Sequence, residues 1–392
     1  MSRLFLSIIC FFVLFFAPLQ LAKSENSPYA SLLTCSPGEE VYSFFGHTAL
    51  RYCNPHKGID VVFNYGVFDF NTPNFVGKFV LGETDYMLGA VDYPYFIQEY
   101  AMRGSRVDEQ VLNLDSMQTE RLFALLRKNY QPANRVYRYN YFYNNCTTKA
   151  RDIIEQAVAA DGVVKYSSQY GGRSFRDVVH GFTAVSPWYS FGIDLLLGAD
   201  ADVAQDSRAL QFIPSFLMHD FSSARISLPD GEKPMVLSEN ELVGEQEKDD
   251  AASPFTPNLF FALLLVLVAI VTYTGYRKRK IFWGVDVLLM LVQGLAGAMI
   301  LFMVLFSSHP AVGRNMLLFC LNPLPLLLLP ILLYAIIRKK AFSVMWLQAA
   351  MMIVFMVVAP LLPQYFPLPV YLFAATLLLR SLFLIYYKRI CV

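Results

Sequence analysis

Ser43-Phe-Phe-Gly-His47-Thr-Ala-Leu-Arg51, followed much later in the chain by Tyr141-Phe-Tyr-Asn-Asn-Cys146-Thr-Thr-Lys149, decides how this sequence reads. The first stretch reads as a strand carrying a histidine. The second predicts a helix that starts at Cys146, because Ala150, Ile153, Ile154 and Ala157 follow at helical spacing and turn the sulfur toward the buried face. A thiol at a helix N-terminus lies at the positive end of the helix dipole, which favours the thiolate. A histidine beside it serves as base and then as acid. The pair points to a cysteine enzyme that holds an acyl group as a thioester. The alternative for Cys146 is a small buried hydrophobe.

Working outward, Gly46 to Tyr52 and Asp60 to Phe68 read as strands joined by the turn Asn54-Pro-His-Lys-Gly58. Asn64, a lone polar side chain on the second strand, is the candidate that holds the His47 imidazole; an ordinary turn-proximal Asn is the alternative. The backbone N–H of Cys146, just after Asn145, is a candidate oxyanion donor. Tyr42 either lines the site or packs nearby. Asp115 to Asn129 predicts an amphipathic helix, with Asp115 as cap, Gln118 at the capping-box position, and Leu122, Leu125 and Leu126 on one face. Arg135 to Tyr143 reads as Tyr-rich and extended. Pro187 to Asp194, with Gly198 and Asp200 beyond, reads as a loop-rich segment without an assigned chemical role.

The composition divides the chain. Residues 1–24 have a basic start, an apolar run and small residues at Ala22-Lys-Ser24, the pattern of a secretory signal; an uncleaved anchor is the alternative. Residues 25–238 form a soluble domain, and 239–257 read as an acidic tether. Residues 258–392 are a membrane domain of five candidate spans: Asn258 to Tyr276, Phe282 to Phe306, Met316 to Ile337, Phe342 to Leu361 and Leu368 to Tyr387. Each approaches the ~20 residues that cross a bilayer core. Arg277 to Lys280, Arg338 to Lys340 and Lys388-Arg389 alternate with the weakly charged loops 307–315 and 363–367, so the basic loops are cytoplasmic. The soluble domain then lies outside, as a secretory signal requires. Asp286 and Arg380 are ionisable residues inside apolar spans and are expected to pair across the second and fifth; snorkelling to the interface is the alternative.

Cysteine usage narrows the chemistry further. Cys10 lies in the signal, Cys320 in a span and Cys391 at the cytoplasmic end. Cys35, Cys53 and Cys146 remain in an oxidising compartment, where Cys35 and Cys53 either form a disulfide that anchors the His47 strand or stay free. No His-Glu-x-x-His or Cys-x-x-Cys occurs, so neither a metal site nor a cofactor is expected. A net charge of +1 without a basic stripe gives no reason to expect nucleic acid.

The order His first, Cys second at a helix start resembles the circularly permuted papain-like fold of the lecithin:retinol acyltransferase group and of relatives of the NlpC-type peptidases. Phe45-Gly-His-Thr48, Phe63 to Phe70, Tyr141 to Asp152 and Trp188 to Gly198, together with the following membrane helices, are similar to the bacterial lipoprotein N-acyltransferases of the Lnb type. That resemblance implies an α+β papain-like periplasmic domain followed by an α-helical five-span domain in the bacterial inner membrane. It implies Cys146 as nucleophile and His47 as acid/base, with a membrane phospholipid as acyl donor and a lipidated lipoprotein as acceptor. The fold-level reading adds Asn64 as the third residue. A cell-wall peptide amidase, or a non-catalytic membrane-tethered assembly protein with a structural Cys146, are the other readings.

Overall fold

The computed structural model describes residues 27–38, 40, 43–69, 72–167, 170–246, 254–338 and 344–391, with side chains to 387. The signal segment, Tyr42, Lys339 and Lys340 lie outside the described residues. The N-terminal domain is built on strands β1 (Tyr29–Cys35), β2 (His47–Asn54), β3 (Ile59–Val67), β4 (Asp85–Asp92), β5 (Val107–Leu112) and β6 (Val136–Arg138). A small second sheet holds β7 (Val163–Lys165), β8 (Arg225–Leu228) and β9 (Gly231–Pro234), and β10 (Val236–Val243) returns to the main sheet. The main sheet runs β10-β5-β1-β2-β3-β4-β6, antiparallel throughout. Its helices are α1 (Phe75–Leu81), α2 (Tyr93–Met102), α3 (Ser116–Tyr130), α4 (Cys146–Val158), α5 (Phe175–Thr183), α6 (Pro187–Leu196), α7 (Ser207–Leu210) and α8 (Pro214–Ser223).

Both faces of the central strands are covered, which explains why β1 and β2 are almost continuously buried instead of alternating. On one face Leu32, Leu50 and Phe63 pack with Leu122 and Leu126 of α3, Ile153 and Ile154 of α4, and Phe221 of α8. On the other, Leu33, Ala49 and Val62 meet Phe96 and Tyr100 of α2. Each such large side chain contributes about 1.5–3 kcal/mol through burial. The helix predicted from Asp115 forms with its capping box intact, Asp115 and Gln118 each satisfying the other's backbone N–H.

Three expectations need correction. Only Val136–Arg138 of the Tyr-rich stretch is strand. Asn140 Oδ1 then accepts from the Phe142 and Tyr143 N–H groups and turns the chain into α4. Pro187–Leu196 is a helix, not a loop. The acidic stretch expected to be a tether from Glu239 begins as β10, paired with β5 through Val243; its charges suit an edge strand facing water. The question left open for Cys35 and Cys53 resolves to the free state for both. In the β1–β2 register Cys35 stands opposite His47, whereas Cys53 stands opposite Tyr29 at the other end of β1. Six residues of strand separate the two by ~20 Å, far beyond disulfide reach.

The membrane domain comprises α9 (Pro257–Lys278), α10 (Trp283–Phe306), α11 (Leu324–Ile337), α12 (Val344–Val358) and α13 (Leu368–Cys391). Among the described residues five segments are long and apolar enough to cross a bilayer. The third is broken: a 3-10 turn over Met316–Phe319 is separated from α11 at Asn322-Pro323. Gln293 donates to the freed Cys320 carbonyl at 2.7 Å, and Gln348 donates to Gln293 at 2.6 Å. Buried side chains thereby satisfy irregular backbone where lipid cannot. Asp286 and Arg380 form the expected pair, bidentate at 2.7 and 2.8 Å, with Thr272 accepting a further guanidinium N–H at 3.0 Å.

The N-terminal domain sits on the weakly charged loops, as their expected outer placement requires. Gly198 N–H donates to the Ala311 carbonyl, Ala199 N–H to that of Arg314, and Arg314 pairs with Asp200 at 2.9 Å. Asn315 donates to the Leu195 carbonyl, and Trp188 donates to that of Phe255 just before α9. Behind this seam, buried Arg176 of α5 binds Asp194, Asp202 and the Leu197 carbonyl. This seam gives α6 its fixed position.

Candidate active site

The site forms where the ends of β2 and β3 meet the start of α4. Gly46 precedes His47 with φ +79°, and a Cβ there would lie 2.5 Å from the Cys35 carbonyl oxygen, so only glycine lets the chain enter β2 at this point. The β2–β3 pairing, with Leu50 opposite Phe63, places Asn64 opposite Ala49 when carried one step on. By alternation His47 and Asn64 then share a face. Their side chains meet, with His47 Nε2 3.2 Å from Asn64 Oδ1. The β3–β4 register shifts between Asn64 and Val67, and Gly66 within that bulge has φ +92°. A Cβ on Gly66 would touch Cys146 Cβ at 3.7 Å and the Tyr139 ring at 3.5 Å, so the bulge brings the strand against the helix start.

Cys146 is the first residue of α4, and Asn145 holds that helix start in place. Asn145 Oδ1 accepts from the N–H groups of Thr147 (3.0 Å) and Thr148 (2.9 Å), and Thr148 Oγ1 accepts in return from the Asn145 N–H. Asn145 Nδ2 donates to the carbonyls of Tyr141 (3.0 Å) and Phe212 (2.8 Å). Thr48, next to His47, donates its hydroxyl to that of Thr147, next to Cys146, at 3.1 Å. Strand and helix are therefore tied directly beside the His47–Cys146 pair.

The electrostatics follow from this geometry. Burial alone would raise the Cys146 thiol pKa. The charge and hydrogen bond of the His47 imidazole, then the Thr48 backbone N–H and the Thr147 hydroxyl, outweigh it, and the net direction is downward. Burial likewise disfavours the His47 cation, but the Cys146 charge and hydrogen bond and the Asn64 side chain raise its pKa overall. With Nε2 engaged by Asn64, Nδ1 is left for the sulfur. Each group stabilises the charged form of the other, which favours a thiolate beside an imidazolium. Among the described residues no group of three or more His, Cys, Asp or Glu is placed to hold a metal.

The three residues singled out in the sequence thus come together: His47, Asn64 and Cys146. Sequence reasoning missed how much depends on Asn145, although Asn-Cys-Thr-Thr carries a helix-cap signal with a hydroxyl three residues on. It also missed Tyr139, whose ring walls the site through Gly66 and stacks on Tyr86 at 4.1 Å.

Residues 20–171 match the Lnb N-terminal periplasmic domain, and residues 247–390 match the Lnb transmembrane domain. The chain belongs to the Lnb family. Like the family's two named parts, it is a multi-pass membrane protein with a periplasmic N-terminal domain and five membrane helices. His47, Asn64 and Cys146 all fall within the matched periplasmic segment. No curated protein and no solved structure matches the chain.

Proposed function

We propose that this Lnb-family protein is a thiol-dependent lipoprotein N-acyltransferase of the bacterial inner membrane, and that its periplasmic domain is a circularly permuted papain-like module. The observation that carries the reading is a thiol at a helix N-terminus that abuts the β3 bulge beside an Asn-held imidazole, in a domain seated on the outer loops of a five-span bundle. The fold assignment is supported by the order His then Cys and by the packing of the cysteine helix on an antiparallel sheet.

In this mechanism the Cys146 thiolate attacks the ester carbonyl carbon of a membrane phospholipid. The C–O bond breaks, and the leaving alkoxide takes the proton from the His47 imidazolium. An acyl thioester remains on Cys146. The free α-amine of a lipoprotein's lipidated N-terminal cysteine then attacks the thioester carbonyl. The C–S bond breaks, the thiolate returns, and His47 accepts the amine proton. Asn145 occupies the Thr147 and Thr148 N–H groups, so the Cys146 N–H is the proposed donor to the tetrahedral oxyanion. Asn64 keeps the imidazole aimed at the sulfur. Holding both substrates in the lipid plane converts two encounters in solution into local ones.

Mass spectrometry of a reporter lipoprotein's N-terminal peptide tests this, in cells with the protein, without it, and with Cys146→Ser. The expected result is a third acyl chain that appears only with intact Cys146. Unchanged acylation in all three would sink the reading, and release of peptides from cell-wall fragments by the same thiol would put a peptide amidase in its place.

A further inference from the structure

Helix α1, Phe75-Val-Gly-Lys-Phe-Val-Leu81, carries five large apolar side chains and has no buried residue; Val76 is 74% exposed. A short helix of that composition is not stable against water on every side, so something apolar covers it. Its place in the fold says what. The Ser307 hydroxyl donates to the Val80 carbonyl at 2.8 Å, the Ser308 N–H to that of Leu81 at 2.8 Å, and His309 Nε2 to that of Phe79 at 2.6 Å. Ser307 directly follows α10, so α1 is pinned at the height where that helix leaves the membrane. The last turn of α10 presents Phe302, Leu305 and Phe306, all exposed, beside it. The one charge on α1, Lys78, has a stem long enough to reach the headgroups.

The inner side of α1 leads to the thiol. Phe75, Phe79, Tyr141, Tyr139, Tyr86 and Phe68 form a closed circuit of neighbouring rings, each 4.1–6.2 Å from the next. Tyr139, on the far side of that circuit, abuts Gly66 and through it Cys146.

We propose that α1 lies in the interfacial layer of the outer leaflet and, with the outer end of α10, forms the apolar threshold over which a phospholipid acyl chain passes to Cys146. The placement in the leaflet stands on geometry alone; the passage of the chain rests on the acyltransferase reading.

Two measurements on the full-length protein in phosphatidylethanolamine–phosphatidylglycerol vesicles test it. A spin label is placed at Val76→Cys, and separately at Lys57→Cys in the exposed turn at the far end of β2, both in a Cys146→Ser background. Relaxation by oxygen is compared with relaxation by a water-soluble nickel chelate. Oxygen should dominate at position 76 and the chelate at position 57; equal chelate access at both places α1 in water and overturns the proposal. In the active protein, Val76→Lys should raise KM for the vesicle-borne donor about tenfold, the factor that corresponds to losing most of one buried valine. Release of nitrophenolate from water-soluble nitrophenyl butyrate by Cys146 should change less than twofold. Equal losses on both substrates overturn the entry role. If wild type releases no nitrophenolate, the acyltransferase reading fails, while the relaxation data still decide where α1 lies.

Discussion

Removing one member of the Asp286–Arg380 pair should damage the membrane domain more than removing both. The two side chains are each 3% exposed and share two charge-assisted hydrogen bonds at 2.7 and 2.8 Å, in the cytoplasmic half of the bundle. Asp286→Ala leaves a guanidinium with Thr272 as its remaining named partner, and Arg380→Ala leaves a carboxylate with neither of its guanidinium bonds. Breaking a buried pair from one side costs about 3–5 kcal/mol, because the stranded charge stays desolvated. Thr272 puts Asp286→Ala at about 3 kcal/mol, the lower end of that range. For a unit of this size that corresponds to a fall in Tm of about 6–12 °C. The double variant strands no charge and should melt above either single. The assay is thermal unfolding in lipid nanodiscs, followed by loss of monodispersity and by intrinsic fluorescence. Single variants within about 2 °C of wild type, or a double variant whose loss is the sum of the two singles, would refute the coupling.

Three further outcomes are expected. Iodoacetamide should alkylate Cys146 at pH values where a free thiol is protonated, because its pKa is lowered, and the rate should change again as His47, whose pKa is raised, loses its proton; His47→Ala should move alkylation up toward ordinary thiol behaviour. The linkage signs are opposite. The raised His47 contributes stability that is present below its unfolded pKa and lost as pH rises through the folded one. The lowered Cys146 contributes stability that is present above its unfolded pKa and lost as pH falls through the folded one. Asn64→Ala should lower kcat about ten- to a hundredfold, part of what acid–base catalysis supplies, at unchanged protein level, with Asn64→Gln recovering part of the loss. Asn145→Ala removes a cap and strands the buried Phe212 carbonyl and the partly buried Tyr141 carbonyl, so chemical denaturation should show a loss of about 2–3 kcal/mol; a loss under 0.5 kcal/mol would mean that the helix start is held elsewhere.

The parts of the site that sequence made legible are those with local causes. A glycine before His47, a cap-and-thiol motif at Cys146 and a lone Asn on an apolar strand each express a backbone or burial requirement that neighbouring residues display. Asp286 and Arg380 were legible because charge in a lipid span demands a partner. What stayed hidden depends on distant partners. α6 carries Gly192 and a mix of aromatic and polar residues with no clear stripe; its order comes from Arg176 beneath it and from the outer loops above. β10 lacks alternation because it is an edge strand in water, and its strand character is lent by β5. The break at Asn322-Pro323 lay in plain view as a turn signal, but a hydropathy window averages over two residues.

The seam between the two domains has a consequence for how the protein is made. Every residue of the His47–Asn64–Cys146 trio is synthesised before residue 158, whereas the outer loops on which the domain rests, 307–315 and 363–367 with its Tyr365 N–H on Asp202, come much later in the chain. The trio thus precedes its mooring in the chain, and the Asn145 cap is completed when the Phe212 carbonyl follows. Until residues 307–309 follow, α1 lacks the serines and the histidine that hold it. Docking of Gly198 on Ala311 and of Leu81 on Ser308 then joins the two domains, so chain order separates making the His47–Asn64–Cys146 cluster from fixing its height.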